Sequence, residues 1–464
     1  MQQLNTDVAI IGAGTAGMAA YKAVKKAGKK ALLIEGGPYG TTCARVGCMP
    51  SKLLIAAADA AHGIGIAPEF GVEVLGKIHI DGERVMARVR NERDRFVGFV
   101  LDSIAAIPET DKIRGYARFL ANTVLQVDDH TQIHANSVVI ATGSSPVVPD
   151  IYSALGQRVL INDDVFDWQT LPRRVLVVGS GVIGLEIGQA LTRLGVKVCL
   201  VNRSARLGGI SDPKVAASAR LAFQKEMDIR LETIVDSVAL KGDEVHAVLK
   251  SNDGKLSTEV VDYVLVATGR RPNLDALGLE NTTIAIDEQG WPSINLLTLQ
   301  LGDAPVFIAG DVTGTLPVLH EANDEGYFAA ANALVYPDVI EPQRRTPLTV
   351  VFSDPQIAQV GVHFKDLPET GVVFGEVSFV NQGRSRIMLK NQGMLRLYAD
   401  SIDGRLLGAE MAGPAMEHIA HLLAWCVQQN LSVNDMLGMP FYHPVIEEGL
   451  RTALRQAAAE LAAV

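Results

Sequence analysis

The chain has little cysteine: four residues in 464, at positions 43, 48, 199 and 426. Four cannot staple a chain of this length into a disulfide framework. It has no basic excess either. Its 42 lysines and arginines face 52 aspartates and glutamates, a formal net charge of −10. That excludes a protein tracking nucleic-acid phosphates with a basic face. No apolar run approaches the ~18 uninterrupted residues of a membrane span. The N-terminus has no basic segment, and Asp7 precedes a short apolar run that Gly12 breaks, which excludes a signal peptide. The expectation is a soluble, cytoplasmic protein with no nucleic-acid or membrane partner.

What is present is globular in composition. Apolar residues make up 48% and charged residues 20%, neither disordered nor fibrous. The length exceeds what one hydrophobic core organises and predicts several domains. Glycine is abundant, at 43 residues, many in short spaced groups. That is the pattern of a backbone that must approach ligands closely.

Residues 8–35 read as an apolar run, a Gly-x-Gly-x-x-Gly turn (Gly12, Gly14, Gly17), an Ala-rich helical stretch and a second apolar run ending on Glu35. The same order recurs at residues 175–202, with Gly179, Gly181 and Gly184 in the turn and Gly195 matching Gly28. The first glycine makes a tight turn, the second lets the backbone approach a pyrophosphate, and the third lets helix and strand pack closely. Two such units predict two nucleotide-binding domains. They differ at their ends. Glu35 can accept bonds from a ribose diol, whereas its counterpart is Asn202, followed by Arg203 and, further on, Arg206.

Two further segments are alike: Val138–Gly143, containing Ala141, Thr142 and Gly143, and Val264–Gly269, each an apolar strand ending in Ala-Thr-Gly. Each is expected to close a nucleotide domain. Pro146 and Pro149 mark a way into the second domain, and Arg270–Asn273 a way out. A strand from Val306 ends on Gly310-Asp311, placing a carboxylate at the usual ligand edge of a parallel sheet. The first domain is therefore expected to be discontinuous, 1–150 and 273–345, with the second, 151–272, inserted. Residues 346–464 carry no glycine fingerprint. Strand-like segments (371–380, 393–399) and amphipathic helices (416–429, 447–463) predict an α+β domain that packs against something.

Cys43 and Cys48 stand five residues apart. In a reducing compartment such a pair points to metal binding or redox chemistry. A zinc site needs four ligands and no second Cys/His pair stands nearby, so no metal is expected. Positions i and i+5 of a regular helix lie ~140° apart. A bridge between them needs a distorted turn, which Gly47 permits. Cys199 and Cys426 lie in apolar stretches and read as core cysteines. Of the ten histidines, His443 has the best case, because Glu447 and Glu448 follow it at the start of a helix. A carboxylate holding one imidazole nitrogen fixes the tautomer and raises basicity. The residues alone do not choose between the two glutamates.

Both fingerprints, the Cys-x4-Cys pair, Gly181–Glu186, Gly269–Asn273, Ala309-Gly310-Asp311, Ser353-Asp354-Pro355 and His443–Glu448 stand in one order. In that order the chain resembles the flavoprotein disulfide reductases, most closely their dihydrolipoamide dehydrogenase branch, over nearly its whole length. The resemblance implies an α/β fold with two Rossmann-like domains, for FAD and NAD(P), a small central region and a C-terminal α+β dimerisation domain forming a homodimer. It implies that Cys43 exchanges with a dithiol substrate and that Cys48 lies against the flavin as its charge-transfer thiolate. It further implies that His443 arrives from the other subunit as acid/base oriented by Glu448, and that Lys52 lies near the flavin N5 edge paired with Glu186. Asp311 is expected on the ribityl hydroxyls.

The implied activity is oxidation of protein-bound dihydrolipoyl groups, those of a 2-oxo acid dehydrogenase or related complex, with reduction of NAD. Two departures bear on it. The acidic residue that reads the ribose of NAD is replaced by Asn202, and Arg203 can accommodate a 2′-phosphate, so NADP stays open. The run Met439–Tyr442 also differs from the family's usual one. The alternatives are an NADPH-dependent reductase of a glutathione-like disulfide, a pyridine-nucleotide transhydrogenase and a non-enzymatic flavoprotein component of a complex.

Overall fold

The computed structural model describes residues 1–463. They form two compact units, each assembled from three stretches of chain: 1–50, 88–147 and 269–343 in the first, and 51–87, 148–268 and the described residues from 344 onward in the second.

The first unit is built on a nine-stranded sheet. Its parallel centre runs Val306–Ile308, Thr131–Ile140, Gln2–Ile11, Ala31–Glu35 and Lys112–Arg114. The helix Thr15–Lys26 follows the first fingerprint and packs with the helix Leu319–Val335 through small residues, among them Ala16, Ala20, Ala322, Ala329 and Ala330. Alanine there lets the two helices sit close to each other and to the sheet. The opposite face is closed by an antiparallel extension carrying Phe119, Leu125 and Val127, all fully buried. The outgoing segment Ser144–Pro146 and the returning segment Arg270–Pro272 pair antiparallel, side by side.

The second unit holds the second fingerprint. Its parallel sheet has the order Asp228–Leu231, Lys197–Asn202, Arg174–Val178, Tyr263–Val266, Val159–Leu160, with the helix Val182–Arg193 after the glycine turn. The two fingerprint units share a register: Val8 pairs with Ala31, and Val175 with Val198. A three-stranded antiparallel ribbon, residues 233–261, covers one face through Val245, Ala247 and Leu249. The C-terminal part is a five-stranded antiparallel sheet packed under the helices Met416–Gln428 and Glu447–Leu461. Within it, strands Val372–Ser378 and Met394–Asp400 occupy the two segments read as strands from sequence.

The helical stretch Thr42–Phe70 is long and apolar enough, by length and composition, to cross a membrane, with 11% of its most apolar window buried. A search for unbroken apolar residues misses it, because Ser51, Lys52, Asp59 and His62 interrupt the run while leucine, isoleucine and alanine keep its mean high. Lys52 and Asp59 on this stretch are each in an ion pair. Either charge at a bilayer centre would cost roughly 2.5–3.5 kcal/mol.

Candidate functional site

The glycines of the first turn are dictated by sterics. Gly12 has φ +106°, and a Cβ there would lie 2.3 Å from the carbonyl oxygen of Ala141. Gly17 lies against the carbonyl of Gly12. Gly179 repeats the arrangement at φ +114°, with the carbonyl of Ala267 at 2.2 Å from its would-be Cβ. This explains why the Ala-Thr-Gly segment recurs: its alanine is the wall on which the first glycine rests.

Gly14 is different, with nothing within 4 Å of a Cβ position. It begins the helix Thr15–Lys26, which has no side-chain cap and no acidic residue in its first turn. Uncapped N–H groups beside open space are a cradle for an anion, which suits the pyrophosphate of a dinucleotide. Glu35 lies at the edge of this cradle. Its Oε2 accepts from Ala13 N at 2.8 Å and its Oε1 from Gly37 N at 2.7 Å.

Asp311 follows the strand Val306–Ile308 and its Oδ2 accepts from Ser144 Oγ at 3.1 Å. Arg270 holds Ser144 in turn, from Nε to Oγ at 2.8 Å and from Nη2 to the carbonyl at 2.6 Å. Gly310 N donates to the buried Glu325 at 2.8 Å. Thr142 and Asn273 exchange side-chain bonds to each other's carbonyls, which fixes the Thr142-Gly143 turn. Ser144, Arg270 and Glu325 escaped the sequence reading because their roles depend on pairings across 126 or more residues for the first two and on burial for the third. These residues fit FAD: an anion cradle, a carboxylate for a ribose and a carboxylate for hydroxyls.

The second turn has the same form. Gly181 has open space beside it and starts an uncapped helix with no acidic first turn. Asn202 spends its amide on its own loop. Nδ2 donates to Ser204 O at 3.0 Å, Ser204 Oγ at 3.1 Å and Arg206 O at 3.3 Å. Arg203 and Arg206 are exposed. Gly269, at φ +129°, opens the returning segment of the first unit.

The cysteine pair straddles a broken helix. Cys43 lies in the short helix Thr42–Val46, Gly47 interrupts it, and Cys48 begins the helix Cys48–Ile66. The preceding Thr41 has φ +57° and caps the first turn, accepting from Ala44 N at 3.3 Å. Such a backbone costs on the order of 1–3 kcal/mol and clusters at functional sites. Cys43 is half-buried and Cys48 exposed. The other two cysteines differ. Burial pushes the Cys199 thiol up to about 12 and raises that of Cys426, so neither is a thiolate at neutral pH. Cys199, Asp228 and Glu259 form the one group of metal-ligating side chains among the described residues. Arg230 bonds both carboxylates, at 2.6 and 2.7 Å, and occupies the cation's place.

One turn beyond Cys48, Lys52 Nζ lies 2.7 and 2.9 Å from the two oxygens of Glu186 and over the ring of Phe352. Glu186 is 3% exposed and also accepts from Phe352 N at 2.9 Å and Ser51 Oγ at 3.3 Å, so its burial is compensated. His443 is 80% exposed. Its Nδ1 lies 3.0 and 3.1 Å from the oxygens of Glu448, while Val445 N donates to the same carboxylate at 3.2 Å. The hydrogen bond from His443 is the largest cause holding the Glu448 carboxyl below the ordinary range. Of the two glutamates it is thus Glu448 that holds the imidazole, leaving Nε2 outward.

Comparison with known proteins agrees with this geometry. Residues 6–326 match the pyridine nucleotide-disulphide oxidoreductase family and residues 348–454 its dimerisation domain. A dihydrolipoyl dehydrogenase of Thermus scotoductus is 31% identical over 96% of each chain. A mercuric reductase of Streptomyces lividans is 29% identical over 98% of this chain and 97% of its own. Among solved structures, the HOCl-induced flavoprotein disulfide reductase RclA of Escherichia coli superposes with TM-score 0.81 at 25% identity, covering 97% of this chain and 99% of the other.

Proposed function

The chain belongs to the pyridine nucleotide-disulphide oxidoreductase family, and from that membership we propose that it oxidises protein-bound dihydrolipoyl groups with NAD through Cys43 and Cys48. The coarser activity, a flavin-dependent disulfide oxidoreductase using FAD and a pyridine nucleotide, follows from the family. The observation that carries the finer reading is the His443–Glu448 pair. An exposed imidazole held on one nitrogen by a carboxylate is a base open to an incoming substrate. Dihydrolipoyl dehydrogenases among the relatives support the substrate class.

The chemistry follows from the residues. Exchange requires a thiolate. The second copy's His443 takes a proton from one substrate thiol, and the resulting thiolate attacks Cys43 Sγ. The Cys43–Cys48 bond breaks and Cys48 leaves as a thiolate. The second substrate thiol loses its proton to solvent and attacks the substrate sulfur of the mixed disulfide. Cys43 departs and takes back the proton held by His443, and the substrate leaves as a disulfide. Glu448 keeps Nε2 as the working nitrogen throughout. Lys52, ion-paired to Glu186, places a fixed cation one turn from Cys48. Gly12–Gly17, Glu35 and Asp311 would hold FAD, which would supply a two-electron acceptor between the Cys48 thiolate and the pyridine nucleotide.

A second reading, an NADPH-linked disulfide reductase, is favoured by one observation: no carboxylate stands at Asn202, and Arg203 and Arg206 are exposed beside it. Steady-state rates with dihydrolipoamide and NAD, and with lipoamide or glutathione disulfide and NADH or NADPH, test both on one preparation. Turnover of dihydrolipoamide with NAD is expected. Turnover confined to NADPH and another disulfide overturns the first reading.

A further inference from the structure

We propose that the C-terminal domain positions the loop that reads the far end of the pyridine nucleotide, with Gln359 and Glu410 as its positioning residues. The proposal rests on the reading that the second fingerprint holds the nucleotide with its adenosine ribose at Asn202.

The loop joins the strand Lys197–Asn202 to the helix Pro213–Phe223. Its near half is tied to the glycine turn. Ser180 Oγ donates to Arg206 O at 2.6 Å, and Gly208 N donates to Ser180 O at 2.8 Å. Its far half is tied to the antiparallel sheet. Gln359 Nε2 donates to Gly209 O at 2.6 Å. Glu410 accepts from Ser211 N at 2.7 Å, from Asp212 N at 2.8 Å and from the Ser211 hydroxyl. Asp212 accepts from Arg396 Nη1 at 2.5 Å and from the Tyr398 hydroxyl at 3.1 Å, while capping the next helix on Lys214 N and Val215 N. Glu410, Asp212 and Tyr398 are fully buried.

Ahead of these anchors, between the strand end at Asn202 and the Ser180 bonds to Arg206 and Gly208, Arg203, Ala205 and Arg206 are exposed. The arginines thus ride on a span that begins at the strand Lys197–Asn202 and ends on groups held by the antiparallel sheet. Sliding the span would leave buried groups unpaired, each costing more than an ordinary hydrogen bond is worth. The direction in which the arginines meet a ribose or a 2′-phosphate is therefore set by residues about 150 to 200 positions later, in the sheet that the dimerisation domain supplies.

The test compares the full-length holoenzyme with Gln359→Leu and Glu410→Gln, using NADH, NADPH and reduced nicotinamide mononucleotide, which lacks the adenosine half. Flavin content and thermal unfolding are followed in parallel. Gln359→Leu is expected to change the NADPH/NADH ratio of kcat/KM by about three- to tenfold, the size of one lost hydrogen bond. The change should lie in KM, with turnover of the mononucleotide unchanged. Glu410→Gln keeps the shape and is expected to move the ratio in the same direction. Equal losses on all three donors would show a merely structural role, and an unmoved ratio in both variants would show that the anchors do not reach the site; either overturns the proposal. A wild type that uses the mononucleotide as well as NADH would instead overturn the reading of the second fingerprint.

Discussion

Asn202 and the cysteine pair are where single side chains decide the chemistry. A carboxylate at position 202 would repel a 2′-phosphate; the amide does not, and it is already engaged by its own loop. Asn202→Glu is expected to shift selectivity toward NADH by roughly 1–3 kcal/mol, a close charge–phosphate contact, read as the ratio of kcat/KM values for NADH and NADPH. An unchanged ratio would mean that residue 202 does not face the ribose. The cysteines divide their labour. Cys43→Ser is expected to abolish dithiol exchange, and Cys48→Ser to remove the long-wavelength absorption that a thiolate gives against a flavin. Retention of both that band and turnover in Cys48→Ser would reverse the assignment.

The cysteine helix Cys48–Ile66 and the helix Val182–Arg193 meet along a polar seam with a seven-residue repeat. Lys52 pairs with Glu186, and seven residues on, Asp59 pairs with Arg193 at 2.7 Å with the charges reversed. Arg193 is 4% exposed and also reaches Glu226 at 2.6 Å and Asp354 at 3.1 Å. Burial alone would push the Asp354 carboxyl up, but Lys390 and Arg193 outweigh it and hold it below the ordinary range. A depressed carboxyl contributes stability that is present above its unfolded pKa and lost as pH falls through its folded one. Arg193→Met takes the shared cation away from Asp59, Glu226 and Asp354 and is expected to cost about 3 kcal/mol at neutral pH. The deficit should shrink in acid, as Asp354 protonates. Denaturant unfolding of both proteins across this range checks it, and a deficit constant with pH would show that lost packing, not charge, is responsible.

Activity in the whole molecule is expected to need two copies. The cysteines lie in the first unit, and His443 lies within the second, in the part that matches a dimerisation domain. A two-fold dimer can deliver each His443 to its neighbour's Cys43. Neither Cys43→Ser nor His443→Gln homodimers should then turn over dithiol. Heterodimers of the two should regain about half of wild-type activity, since symmetry leaves one composite site intact. Inactive heterodimers, with wild-type monomers fully active at high dilution, would place His443 in its own chain's site.

Much of this was legible in residue order, and the division has a physical cause. Both fingerprint units, their helices and Glu35 could be read directly, because a glycine turn between a strand and a helix is specified by neighbours within about 30 residues. The segments 371–380 and 393–399 read as strands for the same local reason, and the structure has strands there. Three things were not legible. Glu448 rather than Glu447 holds His443 because the helix begins at Glu447, and successive residues of a helix point about 100° apart. The Ser144–Arg270 clamp on Asp311 exists only once the outgoing and returning segments pair. The nucleotide loop is anchored by Glu410, nearly 200 residues away. Local pattern specifies an element, since backbone geometry and side-chain periodicity are properties of adjacent residues. Which distant polar group answers a buried one is decided by packing, because only the folded chain removes the water that would otherwise satisfy both.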